Sequence, residues 1–248
     1  MLELPEVSFP ELDLKKYKRV VITSKIMNPL FPSKFLSLTK LGDIVSQLKI
    51  DEKNPIPLNN KYSWDYEENF PNEIDITLID DTTENNQRFR FSSPIMAFND
   101  VLVICIEENF IKMSPIFSNV IAEKIIEYLL VNCASDIEFI ALGTSDRVSS
   151  LKTVSKTTCT LEAPEFVTGF CGSVLTQLII KEIPFFTGTI APSEGPVGFE
   201  KMTLEVMEEL IGFSRTIFSI NSKEYSDECH RLWKLDGAAI GAQSGLYI

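Results

Sequence analysis

His230 is the only histidine in this 248-residue chain. Imidazole metal sites and Ser–His–Asp relays both need that residue type at a chosen place. Here it falls in a helical pattern set by Tyr225, Cys229, Leu232 and Trp233, so it is expected at a helix surface. Basic residues are also scarce. Lys and Arg number 23 against 35 Asp and Glu, a formal charge of −12. A field of that sign repels a nucleic-acid duplex and an anionic bilayer. The one short basic cluster, Lys15, Lys16, Lys18 and Arg19, reads as a solvated strand entry, so neither nucleic acid nor membrane is an expected partner.

Paired cysteines are missing too. Cys105, Cys133, Cys159, Cys171 and Cys229 are odd in number and lack metal-ligand spacing. Cys105 sits in an apolar run, where cysteine behaves as a small hydrophobe. The pattern suits a reducing compartment. No apolar run approaches the length of a membrane span. The opening Met-Leu-Glu-Leu-Pro-Glu lacks a basic start and an apolar signal core. The cytosol is the expected location, with the nucleus open to a chain this small. There is no P-loop, no G-x-G-x-x-G before a helix and no G-x-S-x-G elbow.

What is present is an ordinary globular composition, 44% hydrophobic and 23% charged, long enough to bury a sizeable core. Residues 17–24 are β-branched and read as a strand, stopped by Asn28-Pro29 and Phe31-Pro32. Residues 35–39 and 44–50 read as two strands around a Gly42-Asp43 turn. Residues 51–87, with Pro55, Pro57, Pro71 and a polar run at 80–87, read as an irregular surface excursion carrying Trp64. Residues 89–92 and 94–98 read as short strands, and 101–106 as a central one. Phe117, Ile121, Ile125, Tyr128 and Leu129 predict a helix over 116–131. Residues 136–142 and 184–190 read as strands, and 167–180 as glycine-bearing and then helical. Val206, Leu210, Phe213 and Ile217 mark a long helix, and Tyr225 to Trp233 mark another. The alternation in the second half predicts an α/β fold with a mixed, largely parallel sheet and helices on its faces. Residues 1–235 are expected to form one domain. Residues 236–248, with Gly237, Gly241 and Gly245, are expected to form a flexible tail ending in the bulky Leu246, Tyr247 and Ile248.

Candidate chemistry is thin. Gly143-Thr144-Ser145-Asp146 follows an apolar strand, and its amides could cradle an anion. The simpler reading is a strand-to-helix turn with Ser or Asp as N-cap. Ser193-Glu194-Gly195-Pro196 reads as a structured loop. Glu67-Glu68 and Glu107-Glu108 are paired acids of a kind usually solvated or placed before helices. No catalytic constellation emerges, and no cofactor or metal is expected.

Eight segments carry a family resemblance: IMNPLFP (26–32), EENF (107–110), SPIF (114–117), GTSD (143–146), PEFVTGF (164–170), GSVLTQL (172–178), APSEGP (191–196) and GAQSGLYI (241–248). In this order they resemble the proteasome assembly chaperone 1 family in its fungal, budding-yeast form. The resemblance runs from residue 26 to the end. It implies a nucleoside-phosphorylase-like α/β fold without catalysis. It implies a heterodimer with proteasome assembly chaperone 2 that docks on the proteasome α-ring and keeps activators off it. The family motif is a hydrophobic residue, then Tyr, then any residue. Leu246, Tyr247 and Ile248 match it, with a pocket lysine as the implied partner of the terminal carboxylate. The alternative is an α/β enzyme of phosphorylase or hydrolase type on the same scaffold.

Overall fold

A computed structural model describes residues 4–50, 78–79, 87–106, 115–195 and 200–235. Most of the expected excursion, with Trp64, and the tail lie outside the described residues; where the excursion is described it is strand and not irregular, Leu78–Ile79 pairing with Arg88 and Phe89 and Gln87 opening the next strand. The described strands are β1 (Glu6–Ser8), β2 (Arg19–Ser24), β3 (Thr39–Ile50), β4 (Leu78–Ile79), β5 (Gln87–Phe98), β6 (Val101–Ile106), β7 (Glu138–Ser145), β8 (Lys152–Ser155) and β9 (Phe186–Pro192). The helices are α1 (Pro115–Asn132), α2 (Gly169–Ile180), α3 (Leu204–Phe218) and α4 (Lys223–Leu235), and a 3-10 turn spans Lys25–Leu30. The strands form one sheet in the order β1-β3-β5-β6-β2-β7-β9-β8, with β4 added on β5.

The centre of the sheet, β6-β2-β7-β9, is parallel. The flanking pairs β1–β3, β3–β5, β4–β5, β5–β6 and β8–β9 are antiparallel. The sheet is mixed as expected, but it is not largely parallel: among the described strands three pairs are parallel and five antiparallel, because the strand-rich first half adds antiparallel neighbours to a parallel middle. Successive side chains of a strand point to opposite faces, and both faces of this centre are covered. Val20, Ile22, Leu102, Ile104, Phe139 and Ala141 join the core beneath α1 and α2. Val21, Val101, Val103, Ile140 and Leu142 join the core beneath the 3-10 turn, α3 and α4. Two-sided burial is why these strands read as unbroken apolar runs. Each Val, Ile, Leu or Phe wholly buried here contributes about 1.5–3 kcal/mol.

The helices follow their patterns. In α1 the buried residues Phe117, Ile121, Ala122, Ile125, Ile126 and Leu129 make one stripe. The Thr203 side chain caps α3 by accepting from the Val206 N–H. Ser219 ends α3 in the left-handed region at φ 55°. Arg19, from the basic cluster, is not simply solvated. Its guanidinium donates to the Ile217 carbonyl at 2.6 Å and pairs with Asp100 at 3.0 Å.

Four local expectations are corrected. Gly42 is not a turn. Strand β3 runs straight through it with a register shift between Lys40 and Gly42, a bulge at which a β-carbon would meet Pro10 Cγ at 2.7 Å. Residues 35–38 accordingly lie before the strand and not within one. Strand β5 is also unbroken. Pro94 stands beside that bulge and one residue beyond the last pair with β6, an irregular place where a strand accepts proline. Strand β7 continues to Ser145, and the edge strand β8 follows it. Four residues with one apolar contact side, Val154, are too short a pattern to announce a strand.

Helix α2 lies unusually close to the sheet. A β-carbon on Gly143 would stand 2.3 Å from Cys171 Cβ, and one on Gly188 would stand 2.5 Å from Leu175 Cδ2. Gly143→Ala should therefore lower unfolding stability by about 1–3 kcal/mol through overpacking. Gly212→Ala meets nothing within 4 Å on α3. It should instead raise stability by up to about 1 kcal/mol through helix propensity. Urea unfolding of both variants checks the pair of signs.

Candidate partner-binding site

The described chain ends on α4, which is held firmly. Trp233 is fully buried, and its Nε1 donates to the Ile26 carbonyl at 2.9 Å. Tyr225, also fully buried, donates to the Leu30 carbonyl at 2.7 Å and lies 2.6 Å from Ser214 Oγ. Burial pushes the Tyr225 hydroxyl well above its ordinary range. A buried indole or phenol needs such a partner, and both anchors grip the segment that follows β2. Residues 236–248 therefore depart from a fixed point at the carboxyl end of the parallel strands. The predicted site residues Leu246, Tyr247 and Ile248, and the tail glycines Gly237, Gly241 and Gly245, lie outside the described residues.

Among the described residues, those weighed for catalysis are employed in the framework. Gly143, Thr144 and Ser145 are not a loop but strand, paired with Ile190, Ala191 and Pro192 of β9. The expected strand-to-helix turn with Ser or Asp as N-cap is corrected, because the chain passes from here into β8 and α2 begins only at Gly169. Ser145 Oγ donates to the Phe166 carbonyl at 2.9 Å and receives the Arg147 N–H at 3.2 Å. The Ser193 N–H donates to the Ser145 carbonyl at 3.2 Å. Glu194 exchanges backbone bonds with Lys201; Pro196, the last residue of the expected loop, lies outside the described residues. Glu67, Glu68, Glu107 and Glu108 lie outside the described residues.

His230 is not fully at the surface. Its Nε2 lies 2.8 Å from Glu208 Oε1, tying α4 to α3, with the imidazole side chain 18% exposed. All five cysteines are free of disulfides. Burial pushes the Cys133 thiol up to about 11 and those of Cys171 and Cys229 up to about 12. None of these three is a thiolate nucleophile near neutral pH.

Sequence reasoning missed one polar cluster. Glu165 accepts from the Glu162 N–H at 2.9 Å and from the Ser149 N–H and Oγ at 3.0 and 2.7 Å. It also pairs with Lys152 at 2.9 Å, and both side chains are nearly buried. The Glu162 N–H first, then Lys152 and Ser149, hold the Glu165 carboxyl down at about 2. Partners this far apart in sequence leave no local signal. The cluster clamps the loop between β8 and α2 onto the strand that precedes it.

The family model for the POC1 chaperone matches residues 1–248. Proteasome chaperone 1 of Saccharomyces cerevisiae is 47% identical over 249 residues, covering 99% of this chain and 88% of that protein. The crystal structure of Pyrococcus furiosus PbaA, an archaeal homolog of proteasome-assembly chaperone, superposes with a TM-score of 0.54 at 13% identity. That match covers 93% of this chain and 94% of PbaA. A Thermoplasma acidophilum protein of unknown function superposes at 0.52 with 12% identity, over 89% of this chain and 86% of its own. At such identities the two structures speak for the fold. The family model and the yeast relative both span essentially the whole sequence, and this chain belongs to the POC1 chaperone family.

Proposed function

We propose that this chain is a chaperone for assembly of the 20S proteasome core, a binding protein and not an enzyme. The 47% identity to Proteasome chaperone 1 across 99% of the chain carries the reading. In it, the chain pairs with proteasome assembly chaperone 2 in the cytoplasm, with the nucleus also accessible. The pair docks on the α-ring through Leu246, Tyr247 and Ile248 and keeps activators off those pockets until the core matures.

The physical chemistry of the tail supports this. Leu246 offers apolar area worth about 1.5–3 kcal/mol if fully buried. Tyr247 adds a ring and a hydroxyl that hydrogen-bonds when buried. The terminal carboxylate needs a cation in its pocket, because an unpaired buried charge is costly. One small tail binds modestly by itself. Two tails and a body contact gain from effective concentration.

Three variants of the full chain, with the second chaperone present, test the docking by their binding to proteasome core particles. Deleting residues 246–248 should weaken binding at least tenfold. Tyr247→Ala should weaken it by less, since the leucine and the carboxylate remain. Adding one residue after Ile248 keeps every side chain but misplaces the charge, and should weaken binding nearly as much as deletion. Deleted and extended forms that bind like the parent would refute the docking.

The non-enzymatic reading has its own check. His230→Gln removes the only histidine and loosens one partly exposed pair with Glu208, an interaction worth about 0.2–1 kcal/mol. Proteasome assembly in cells should proceed at the parental level. Loss of assembly with an unchanged melting temperature would reveal a chemical role for the imidazole.

A further inference from the structure

Phe166 is 52% exposed, and the Arg147 side chain is 58% exposed. The Arg147 guanidinium lies over the Phe166 ring, 5.8 Å from its centroid. Each has an anchored neighbour in the chain. Val148 is buried, and Val167 packs against the core. The backbone beneath the pair is fixed at one point, Ser145 Oγ, which bonds both the Phe166 carbonyl and the Arg147 N–H. Thr168 Oγ1 donates to the same hydroxyl at 3.3 Å. The Glu165 clamp, through Lys152, Ser149 and Glu162, closes the other side. An aromatic ring and an arginine are thus held at the surface by a braced loop, the arginine also pairing through Nε with the half-exposed Asp146 at 3.4 Å. Aromatics and Arg are the residues enriched at interface centres, and preorganisation removes much of the ordering cost of binding.

Location says what covers this pair. Strands β2 and β7 are parallel neighbours, with Ile22 opposite Ala141 and Thr23 Oγ1 bonded to the Leu142 carbonyl. Ile26, just past the end of β2, receives Trp233 near the end of α4. Ser145, the end of β7, carries Phe166. The described end of α4, from which residues 236–248 continue, and the Phe166–Arg147 pair therefore lie at the same end of the sheet. The 13 residues from 236 to 248 extend at most roughly 43 Å at about 3.3 Å per residue. A surface that takes the tail tip is drawn against the end from which the tail departs.

We propose that Phe166 and Arg147 form the body contact that accompanies the tail. They meet, on the same protein surface, an apolar hollow for the ring with a carboxylate beside it for the guanidinium. The proposal rests on the tail-docking reading only for the identity of that surface.

The test measures affinity of the full chain, with the second chaperone, for purified 20S core particles. Phe166→Ser and Arg147→Glu should each weaken binding about tenfold, with melting temperatures unchanged. Phe166→Leu, which keeps an apolar side chain on the same backbone, should weaken it by less. Val131→Ser removes a 77% exposed apolar residue at the opposite end, the carboxyl end of α1, and should have no effect. If Phe166→Ser and Arg147→Glu bind like the parent while tail deletion weakens binding, this proposal fails and the tail reading stands. If tail deletion is silent while both loop variants weaken binding, the tail reading fails and the body contact stands. Losses that merely track a drop in melting temperature, or an equal loss in Val131→Ser, overturn the body contact.

Discussion

Four parallel strands buried on both faces set the terms for the rest of the molecule. Strands β6, β2, β7 and β9 present apolar side chains above and below, so each needs a helical layer on either side. The α2 layer fits only because Gly143 and Gly188 leave room for Cys171 and Leu175. That close approach fixes the height of α2 over the sheet. The loop that feeds α2, with Phe166 and Thr168, is then set against the end of β7. On the other face the same demand is met by α3, α4 and the 3-10 turn, locked by Trp233 and Tyr225 to carbonyls of Ile26 and Leu30.

Polar groups near the carboxyl end of these strands serve this framework. Ser145 fastens a loop, Glu165 and Lys152 clamp it, and His230 links α3 to α4. A nucleophile or base must keep a free lone pair or proton aimed at a substrate. The Ser145 hydroxyl and the Glu165 carboxylate instead spend their bonds on the chain's own backbone and side chains. The thiols of Cys133, Cys171 and Cys229 are raised by burial out of the range where thiolate forms. These groups are part of the framework of a chain that belongs to a family of chaperones.

The long periodic elements were legible. Helices α1, α3 and α4 and strands β2 and β6 appear close to their expected bounds, because apolar spacing reports burial directly. Errors fell where a single residue type has two uses. Gly42 reads as a turn because glycine usually punctuates turns, and the run reads as two strands, 89–92 and 94–98, yet Gly42 serves a bulge in β3 and β5 continues through Ser93 and Pro94. Gly143 was read as part of a loop, although its missing β-carbon answers to Cys171 on a helix that begins far along the chain. Strand β8 and the Glu165 clamp were missed for the same reason: each depends on partners that only folding brings near.

By itself, then, the sequence determined the α/β class, the two-sided burial of the central strands and the kinship spread over ordered short segments. Each of these is written in local composition, spacing or order, which a linear chain carries in full. Tertiary structure alone decided that Ser145 and Phe166 meet, that Lys152 and Glu165 close a loop, and that α4 ends at the same edge of the sheet as that loop. Those facts depend on which strands become neighbours and how closely a helix can approach them, and both are set by packing between residues distant in the chain.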